Sequence, residues 1–430
     1  MANPVYRAPR GLRDVLPEQV GAWRWLESEA ARLARLFGYR EIRPPLLEET
    51  ELFRRSVGEV TDIVEKEMFT LERADHSFTL RPEGTAGVVR AYLEAGYAKN
   101  APLQKLWYCG PMFRYERPQK GRERQFTQFG VECIGSLDPR LDAETIALAV
   151  AYFERLGLEG LEVRVNSMGD GGDRDAYRDA VREFVRPNLA KYSEDSQRRF
   201  ERNVLRVLDS KDARDVELNR GAPKILDHLS PENRAHFDRV IALLRELGVD
   251  VVVDPGVVRG LDYYTRTIFE VHCPSLGARS ALCGGGRYDH LVEQLGGPDL
   301  GAVGFAIGFT GTLTALEEAG KLAAHTTPPP ECFVASADET SHDAAFSIAH
   351  ELRAAGVSAV FEPDDRKLKA QLKVAARTGS PVVAVVGSTE LEQGTVQLKD
   401  MARAQQEAVP RAELAARVRA LLEDAAASAR

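Results

Sequence analysis

The stretch FRYERPQKGRERQFTQFGVECIG, residues 113–135, joins a charged loop to a clear strand pattern. Side chains alternate between the two faces of a strand. One face is mostly apolar and suits a core: Thr127, Phe129, Val131 and Cys133. The opposite face mixes an aromatic ring, an amide and a carboxylate: Phe126, Gln128, Gly130, Glu132 and Ile134. A carboxylate is costly to bury without a partner, so this face is either solvated or the floor of a ligand site.

The loop that precedes this strand is basic. Between residues 114 and 124, five cationic side chains stand against two carboxylates, which gives a local charge of 5 − 2 = +3. Arginine forks match phosphate oxygens in a bidentate manner. A charged loop is usually just solvated, but the position of this one beside the mixed strand face favours an anionic ligand, such as a nucleotide or an RNA end.

Two further stretches are ambiguous when taken alone. In LRPEGTAG (80–87), Glu83 and Thr85 are suited to cap the helical pattern that follows. ALCGGGRYDHLVEQLGG (281–297) contains consecutive glycines, which let a backbone approach a ligand closely. It matches neither the dinucleotide-binding fingerprint nor the phosphate loop, so the glycine run by itself is weak support for a binding site.

The stretch RGLDYYTRTIFE (259–270) has a strand pattern. That pattern places Tyr263 and Tyr264 on opposite faces of the strand. Adjacent tyrosines in a strand are commonly core or interface residues, and the residues alone favour that interpretation over a ligand site.

Composition limits the class of protein. The 430 residues carry 57 Lys+Arg and 65 Asp+Glu, a net charge of −8, and 44% of them are hydrophobic. These values fit a globular protein of two or three domains and exclude disordered, collagen-like and disulfide-scaffold chains. The five cysteines have no CxxC spacing and the eight histidines no metal spacing, so we predict no protein-made metal site. With no secretory signal and no membrane-spanning run, we expect a cytoplasmic protein.

Local patterns predict the elements that surround these stretches. Apolar residues recur at helical spacing over 17–37 and 141–157. A hairpin is expected around Ala74–His76, with a helix from about Gly84. Strand character returns at 249–255 and continues through 259–272.

The composition and the secondary-structure pattern of the chain change at two places. From about 171 to 240 it becomes helical and strongly charged between strand-rich regions, which predicts an inserted helical module. At AAHTTPPPE (323–331), three prolines favour an extended spacer. Over 332–430, short strands alternate with amphipathic helices, which predicts a small α/β domain with a parallel or mixed sheet.

The order of these stretches resembles the histidyl-tRNA synthetases, a family of class II aminoacyl-tRNA synthetases. IRPPLLEE (42–49) is similar to the dimer-forming motif 1, and residues 113–135 are similar to motif 2. RGLDYYTRTIFE (259–270) and ALCGGGRYD (281–289) resemble the two histidine-specific motifs. KLKAQLKVAARTGSPVVAVVGSTELEQGTVQLKDM (367–401) resembles part of the anticodon-binding domain.

The resemblance implies an α+β fold in the class II manner. A catalytic domain on an antiparallel sheet would cover 1–325, with its helical insertion at about 171–240. A proline-rich linker at 326–331 would lead to an α/β domain of the anticodon-binding type over 332–430. The family also implies a homodimer that acts on L-histidine and histidine tRNA, away from membranes.

The implied activity is an ATP-dependent ligation in two steps. Histidine and ATP give histidyl-adenylate and pyrophosphate, and the histidyl group then passes to the terminal ribose of histidine tRNA. ATP is a substrate in this scheme, and Mg²⁺ accompanies it, held largely by water and ATP oxygens.

The resemblance also assigns a role to each motif residue. The histidine-binding residues would be Glu83, Thr85, Gln128, Glu132, Tyr263 and Tyr264. Arg114 and Arg259 would be the catalytic pair that flanks the α-phosphate. The ATP-binding residues would be Arg114, Glu116, Arg122 and Phe126. The acceptor end of the tRNA would meet Arg117, Gln119 and Lys120.

Motif 3 departs from the family pattern. The family reads roughly GFAIGLERL, whereas residues 304–313 read GFAIGFTGTL, so Thr310 and Gly311 stand where a glutamate and an arginine belong. Loss of that arginine removes a cation and a stacking partner from the adenine site. A second hypothesis is therefore a catalytically weakened synthetase-like paralogue with a histidine-sensing or regulatory role.

Overall fold

The computed structural model describes residues 6–428, except 59, 60, 62, 118–122, 209, 258–260, 275, 276, 278–280 and 365. The chain forms two compact units, Met1–Thr326 and Thr327–Arg430. The division falls beside the three consecutive prolines of the sequence. Within the described residues, no helix combines the length and the apolar character that crossing a membrane requires.

The helices of the first unit are α1 (Pro17–Leu36), α2 (Thr50–Val57), α3 (Thr85–Glu94), α4 (Tyr97–Asn100), α5 (Pro139–Arg155), α6 (Gly172–Val185), α7 (Glu194–Arg202), α8 (Leu205–Leu208), α9 (Ala213–Leu218), α10 (Pro231–Glu246), α11 (Leu291–Gln294) and α12 (Phe309–Glu318). Its strands are β1 (Arg40–Glu41), β2 (Leu47–Glu49), β3 (Phe69–Arg73), β4 (His76–Leu80), β5 (Gln104–Phe113), β6 (Gln125–Ile134), β7 (Glu162–Ser167), β8 (Val251–Val253), β9 (Thr265–His272), β10 (Ala281–Arg287) and β11 (Ala302–Gly308).

The largest sheet carries its strands in the order β1-β5-β6-β11-β10-β9-β7-β8. From β5 to β7, each pair of neighbours is antiparallel. The outer pairs, β1–β5 and β7–β8, are parallel. The prediction of a domain built on an antiparallel sheet with flanking helices is confirmed.

Strand β6 lies in the middle of this sheet and follows the predicted alternation. Phe129, Val131 and Cys133 are buried in the main core, where α1 and α5 pack against the sheet. Glu132 faces the other way and lies between Leu106 of β5 and Gly304 of β11. The apolar face thus anchors the strand, while the mixed face is turned toward the site described below.

The predicted local elements largely form as expected. Helix α1 begins at Pro17, whose fixed φ suits a first helical turn. Strands β3 and β4 form the predicted hairpin, which turns at Ala74 with a positive φ of 50°. Helix α3 follows Gly84, also as predicted.

The helical insertion has a small core of its own, made of Val181, Val185, Tyr192, Phe200, Val204 and Val207. Its last helix, α10, is different because Phe237, Val240 and Leu244 pack into the main core. The regular structure described over 171–240 is helical, as predicted, but α10 runs past the expected end of the module to Glu246 and packs into the main core.

One strand prediction is wrong. The pattern over 259–272 predicts a continuous strand, but β9 begins only at Thr265, and residues 261–264 form a turn. The tyrosines of the pattern therefore do not alternate across a sheet. Their positions are set by tertiary contacts of this turn, which the local pattern does not contain.

The second unit contains strands β12 (Cys332–Ser336), β13 (Ala359–Phe361), β14 (Val382–Val386), β15 (Thr395–Asp400) and β16 (Gln405–Pro410), and helices α13 (His342–Ala354), α14 (Leu368–Thr378), α15 (Ser388–Gln393) and α16 (Leu414–Ser428). The sheet order is β13-β12-β14-β15-β16. Parallel and antiparallel pairs occur together, which confirms the predicted mixed sheet. Strand β16 was not predicted because QQEAVP is mostly polar and exposed.

Candidate active site

A narrow cavity of about 120 Å³ opens on the mixed face of the main sheet. Its walls come from the start of α3, from β5, β6, β10 and β11, and from the turn before β9. The lining residues are Glu83, Thr85, Tyr108, Arg114, Gln128, Glu132, Leu261, Tyr263, Tyr264, Gly284, Tyr288, Gly304, Phe305 and Ala306. The structure thus brings together, in one cavity, all six residues expected to bind histidine.

Glu132 is the centre of this cavity. Its carboxylate is 1% exposed and accepts hydrogen bonds from the hydroxyls of Thr85 (2.7 Å), Tyr108 (3.3 Å) and Tyr288. Burial raises its pKa to about 8, against the lowering effect of these hydrogen bonds. Such a group gains from a ligand that donates an N–H or carries positive charge, because either stabilises the ionised carboxylate.

Glycine is required beside this carboxylate. A Cβ on Gly304 would lie 2.0 Å from Oε2 of Glu132 and 2.3 Å from the carbonyl oxygen of Val131. On the other side, Gly130 leaves space for the ring of Tyr108, which a Cβ there would meet at 2.3 Å. Both glycines let large polar side chains share the small cavity.

Glu83 and Thr85 act together at the start of α3. The carboxylate of Glu83 accepts from the backbone N–H groups of Thr85 (2.6 Å) and Ala86 (2.9 Å). Glu83 therefore caps the helix, as the residues alone suggested, and it also lines the cavity. Burial raises its pKa. The hydroxyl of Thr85 points instead to Glu132.

Gln128 offers a free acceptor to the site. Its Oε1 is buried and has no hydrogen-bond partner within the described part of the chain. An unpaired buried amide oxygen is costly. A ligand that donates a hydrogen bond at this point would remove that cost.

A cation lies at the mouth of the cavity. Arg114 donates from Nε to the carbonyl oxygen of Pro82 at 2.8 Å, which fixes its side chain beside the site. Its guanidinium carbon lies 5.4 Å from the centre of the Phe126 ring, and Glu116 lies 4.0 Å from its Nη1. A fixed arginine next to an aromatic face suits a ligand with both phosphate and a flat base.

Tyr263 and Tyr264 both line the cavity, which corrects the expectation that they point to opposite faces. Each is nearly buried, and their ring centres are 4.8 Å apart. Tyr263 also meets the edge of Tyr288, with ring centres 5.5 Å apart. The three tyrosines form one aromatic wall beside Glu132.

Two site residues, Tyr108 and Tyr288, were missed by the sequence analysis. Tyr288 comes directly after β10, and a period of two counted from Gly284 and Gly286 assigns it to their side of the strand. This spacing is the sequence signal that marks Tyr288. Tyr108 lies in an apolar strand, where nothing marks it apart from a core residue.

The remaining predicted residues are placed as follows. Arg117 is exposed and does not line the cavity. Arg259, Arg122, Gln119 and Lys120 lie outside the described residues.

The structure also shows the surroundings of the two altered positions of motif 3, Thr310 and Gly311. The hydroxyl of Thr310 donates to Oε2 of Glu123 at 3.2 Å, and Glu123 is paired with Arg13 at 2.7 Å. A Cβ on Gly311 would meet Leu282 at an ordinary 3.7 Å. Position 311 therefore has space next to its backbone for a side chain.

The described residues contain one group whose side chains are placed to hold a metal ion: His290, Glu293 and Asp299. None of the three lines the cavity. The carboxylates that do line it are hydrogen-bonded to backbone N–H groups and hydroxyls, so the described donors of the cavity do not form a metal site.

Comparison with known proteins assigns both parts of the chain. Residues 11–311 match the family model described as histidyl-tRNA synthetase. Residues 331–421 match the model of an anticodon binding domain. The two matches fall on the two compact units seen in the structure.

Similar proteins extend over nearly the whole chain. The histidine–tRNA ligase of Crocosphaera subtropica is 46% identical, over 96% of this chain and 95% of its own length. That of Sorangium cellulosum is 48% identical, over 94% of both chains. The crystal structure of apo histidyl-tRNA synthetase from S. aureus superposes with a TM-score of 0.80 at 36% identity, covering 96% of this chain and 100% of that one. On these grounds the chain belongs to the histidyl-tRNA synthetase family.

Proposed function

We propose that the cavity around Glu132 holds the histidine that this enzyme ligates to histidine tRNA at the expense of ATP. The ligation follows from membership of the family, whereas the residue roles are our proposal. The observation that carries them is the buried carboxylate with three hydroxyl partners, because a group of this kind suits the imidazole of histidine.

Recognition divides between the two ends of the substrate. Glu132 and Tyr264 would hydrogen-bond the imidazole, while Tyr263 packs against it. Glu83, Thr85 and Gln128 would hold the α-amino end, and the unpaired Oε1 of Gln128 supports this because an ammonium group donates to it. A site that must satisfy both imidazole nitrogens rejects side chains that leave its buried groups unpaired.

The first chemical step needs no protein nucleophile. The carboxylate of histidine attacks the α-phosphorus of ATP, a new P–O bond forms, and the bond to pyrophosphate breaks. Arg114 and Arg259 would flank the α-phosphate and stabilise the charge that builds up there. The fixed position of Arg114 supports its role because a preorganised cation loses no orientation during the reaction.

The nucleotide would lie between Arg114 and the start of β6. Phe126 would stack on adenine, with Glu116 and Arg122 around the base and its phosphates. Mg²⁺ would enter with ATP and be held mainly by phosphate oxygens and water. Arg114, which lines the cavity, and the Phe126 ring beside its guanidinium support this assignment, because they offer a cation for the phosphates and an aromatic face for the base.

In the second step a ribose hydroxyl of the tRNA attacks the histidyl carbonyl and AMP leaves. Arg117, Gln119 and Lys120 would meet the acceptor end of the tRNA. The second unit would contact the anticodon region, which the match to an anticodon binding domain supports. A cytoplasmic homodimer completes the proposal. Two apolar residues of motif 1 are left exposed, Leu46 and Leu47, and they support a subunit interface there.

The regulatory alternative receives no support. The relatives reported above carry the name of the ligase and match both units of this chain. We therefore interpret the altered motif 3 as a local difference within an active ligase. Its effect on the KM for ATP is tested by the Gly311→Arg substitution below.

Charging of unfractionated tRNA tests this function. The purified protein, ATP and Mg²⁺ are incubated with tRNA and each labelled amino acid in turn. We expect acid-precipitable label with histidine and background counts with the other nineteen. Glu132→Gln is the site control and should lose most of the histidine label, while Glu162→Gln, on a half-exposed carboxylate outside the cavity, should keep it. Label from another amino acid, or none from histidine, contradicts the proposal.

A further inference from the structure

One arginine of the helical insertion reaches the turn that carries the tyrosine pair. Arg174 lies in the first turn of α6. Its Nη1 donates to the carbonyl oxygens of Asp262 (3.4 Å) and Tyr264 (3.3 Å). Both acceptors belong to the turn at 261–264, so one guanidinium fixes the backbone on either side of Tyr263.

The setting of Arg174 is unusual for a cation. Its Nε is buried and has no hydrogen-bond partner among the described groups. Burial lowers its pKa, and the carboxylates of Asp262, Asp170 and Asp175 act against that effect. A partly buried guanidinium with an unpaired donor costs folding free energy. Despite this cost, the guanidinium keeps its hydrogen bonds to two carbonyl groups of the same turn.

The backbone that carries Arg174 is itself anchored. The preceding residue, Asp173, accepts from the backbone N–H of Ser230 (2.8 Å) and from Nδ2 of Asn233 (2.6 Å), which joins the first and last helices of the insertion. The carbonyl of Gly169 accepts from the N–H of Arg266 in β9 at 2.9 Å. Arg174 therefore projects from a defined base and not from a loose loop.

The turn is held from its other side as well. The N–H of Asp262 donates to the carbonyl of Val57, at the end of α2, at 3.2 Å. Next to it, Gly58 has a φ of +100°, and a Cβ there would lie 2.5 Å from Oδ2 of Asp262. The turn is therefore held between the end of α2 on one side and Arg174 on the other.

A second contact links the insertion to the same aromatic wall. Asp170, just before α6, lies 2.7 Å from Nε2 of His290, and His290 follows Tyr288 by two residues. The segment that leads into the insertion, residues 168–174, thus contacts both stretches of chain that carry the tyrosines around Glu132.

We propose that Arg174 is a positioning residue through which the helical insertion sets the tyrosine wall of the amino-acid pocket. The inference rests on the proposed function, since it takes that cavity as the histidine site. It follows that a displacement of the insertion changes the affinity for histidine through this contact. Arg174 does not line the cavity, so its effect on substrate is indirect.

Substitutions on α6 test the inference in histidine-dependent exchange of pyrophosphate into ATP. Arg174→Ala should raise the KM for histidine about tenfold or more, because two hydrogen bonds to the turn are lost. The KM for ATP should stay within about twofold, because Arg114 and Phe126 are untouched. Arg174→Lys, which keeps a charged donor, should recover part of the loss. The matched control is Arg178→Ala, one turn further along α6, where the side chain pairs with exposed Asp175; it should behave as wild type.

The outcomes separate the two claims. A wild-type KM for histidine in Arg174→Ala, or equal rises for histidine and ATP, overturns the positioning role. If circular dichroism shows Arg174→Ala unfolded, Arg174→Gln, which retains one N–H₂ donor, decides by the same two KM values. Absence of exchange in the wild type refutes the proposed function alone. Calorimetric titration of histidine into the wild type and Arg174→Ala then decides the positioning role, with weaker binding to the variant expected and equal binding contradicting it.

Discussion

The pocket concentrates its polar chemistry on one buried carboxylate. Three hydroxyls converge on Glu132, and the residue opposite it in β11 is Gly304. A carboxylate in this position is unfavourable for folding, since burial raises its pKa to about 8. The same property makes it a strong acceptor for a donor that enters the site.

Glu132→Gln should separate stability from function. A carboxyl group whose folded pKa is raised contributes fully to stability below its ordinary pKa and loses that contribution as pH rises through about 8. Glutamine cannot ionise, so the variant should unfold at a higher temperature than wild type at pH 9. Histidine-dependent exchange should fall about 100-fold, because a charged acceptor is lost. Calorimetric melting at pH 6 and pH 9 checks the first claim. A variant whose melting temperature falls between these pH values by as much as that of the wild type contradicts it.

Gly304→Ala should disrupt the site by steric conflict alone. The added Cβ would lie 2.0 Å from Glu132 and 2.3 Å from the backbone of Val131, and a backbone atom cannot yield as a side chain does. We expect a lower melting temperature and a loss of histidine binding of about tenfold or more. The control is Gly308→Ala on the same strand, where a Cβ meets nothing within 4 Å. Similar affinities in both variants contradict the assignment of Gly304.

Gly311→Arg tests the altered motif 3. Position 311 has only Leu282 within ordinary contact distance of a new Cβ, so the chain has space for a side chain there. An arginine that reaches adenine should lower the KM for ATP by about three- to tenfold, the range of a cation–π contact of about 1 kcal/mol. Gly311→Gln, long but neutral, serves as the control. An unchanged KM in Gly311→Arg means that the ATP site uses a different cation.

At the scale of elements, β10 and α5 are joined by a buried ion pair behind the aromatic wall. Arg287 is fully buried and contacts Asp142 through Nε at 3.1 Å and Asp289 through Nη1 at 2.9 Å. His236 of α10 also lies 3.3 Å from Asp142. This network sits next to Tyr288 in sequence and ties three elements to the back of the pocket.

Arg287→Met should destabilise the first unit by about 3–5 kcal/mol, because the buried carboxylates of Asp142 and Asp289 both lose their contact with the guanidinium. The chain's three tryptophans, Trp23, Trp25 and Trp107, all belong to that unit, so tryptophan fluorescence during urea unfolding follows it selectively. The double variant Arg287→Met/Asp142→Leu removes both charges and should recover part of the loss. A double variant as unstable as the sum of both single variants contradicts the pairing.

The same network predicts acid sensitivity. Burial raises the pKa of Asp142, but the charges and hydrogen bonds of Arg287 and His236 together outweigh burial and lower the pKa to about 2. A depressed pKa contributes stability above the ordinary value of 3.8, and that stability is lost as pH falls toward 2. The wild type should therefore lose about 2 kcal/mol more than the double variant between pH 5 and pH 2. If the urea midpoints of the wild type and the double variant fall by the same amount between pH 5 and pH 2, this prediction is contradicted.

Elements were predictable where local pattern and tertiary packing agree. Strand β6 alternates as its residues indicate, because one face must be buried and a slip of one residue would expose it. The turn at 261–264 was not predictable, because its position is fixed by hydrogen bonds with Val57 and Arg174, which are far away in the chain. For the same reason Tyr108, whose hydroxyl donates to Glu132, cannot be told from an ordinary core residue in the sequence.

At the scale of the whole molecule, the chain consists of two units with separate cores. The described site residues belong to the first unit, and the second matches an anticodon binding domain. In the sequence, three prolines and a change of composition lie beside this division. The pocket geometry was not readable from sequence, since it joins four strands, the start of a helix and a turn.

Cleavage of the chain after Thr326 should separate activation from charging. Residues 1–326 retain the described pocket, so histidine-dependent exchange should persist within about threefold of the full chain. Charging of tRNA should fall by about 100-fold or more, because the anticodon contact is lost. The control is the full chain with one conservative substitution at the junction, Thr327→Ser. Undiminished charging by the shorter chain contradicts the role of the second unit.

The most direct test of the account is histidine-dependent exchange of pyrophosphate into ATP by the wild-type protein. The pocket around Glu132 and the ligase relatives predict rapid exchange with histidine and none without it, despite Gly311 in motif 3. No exchange from a protein that still binds histidine would contradict the central claim.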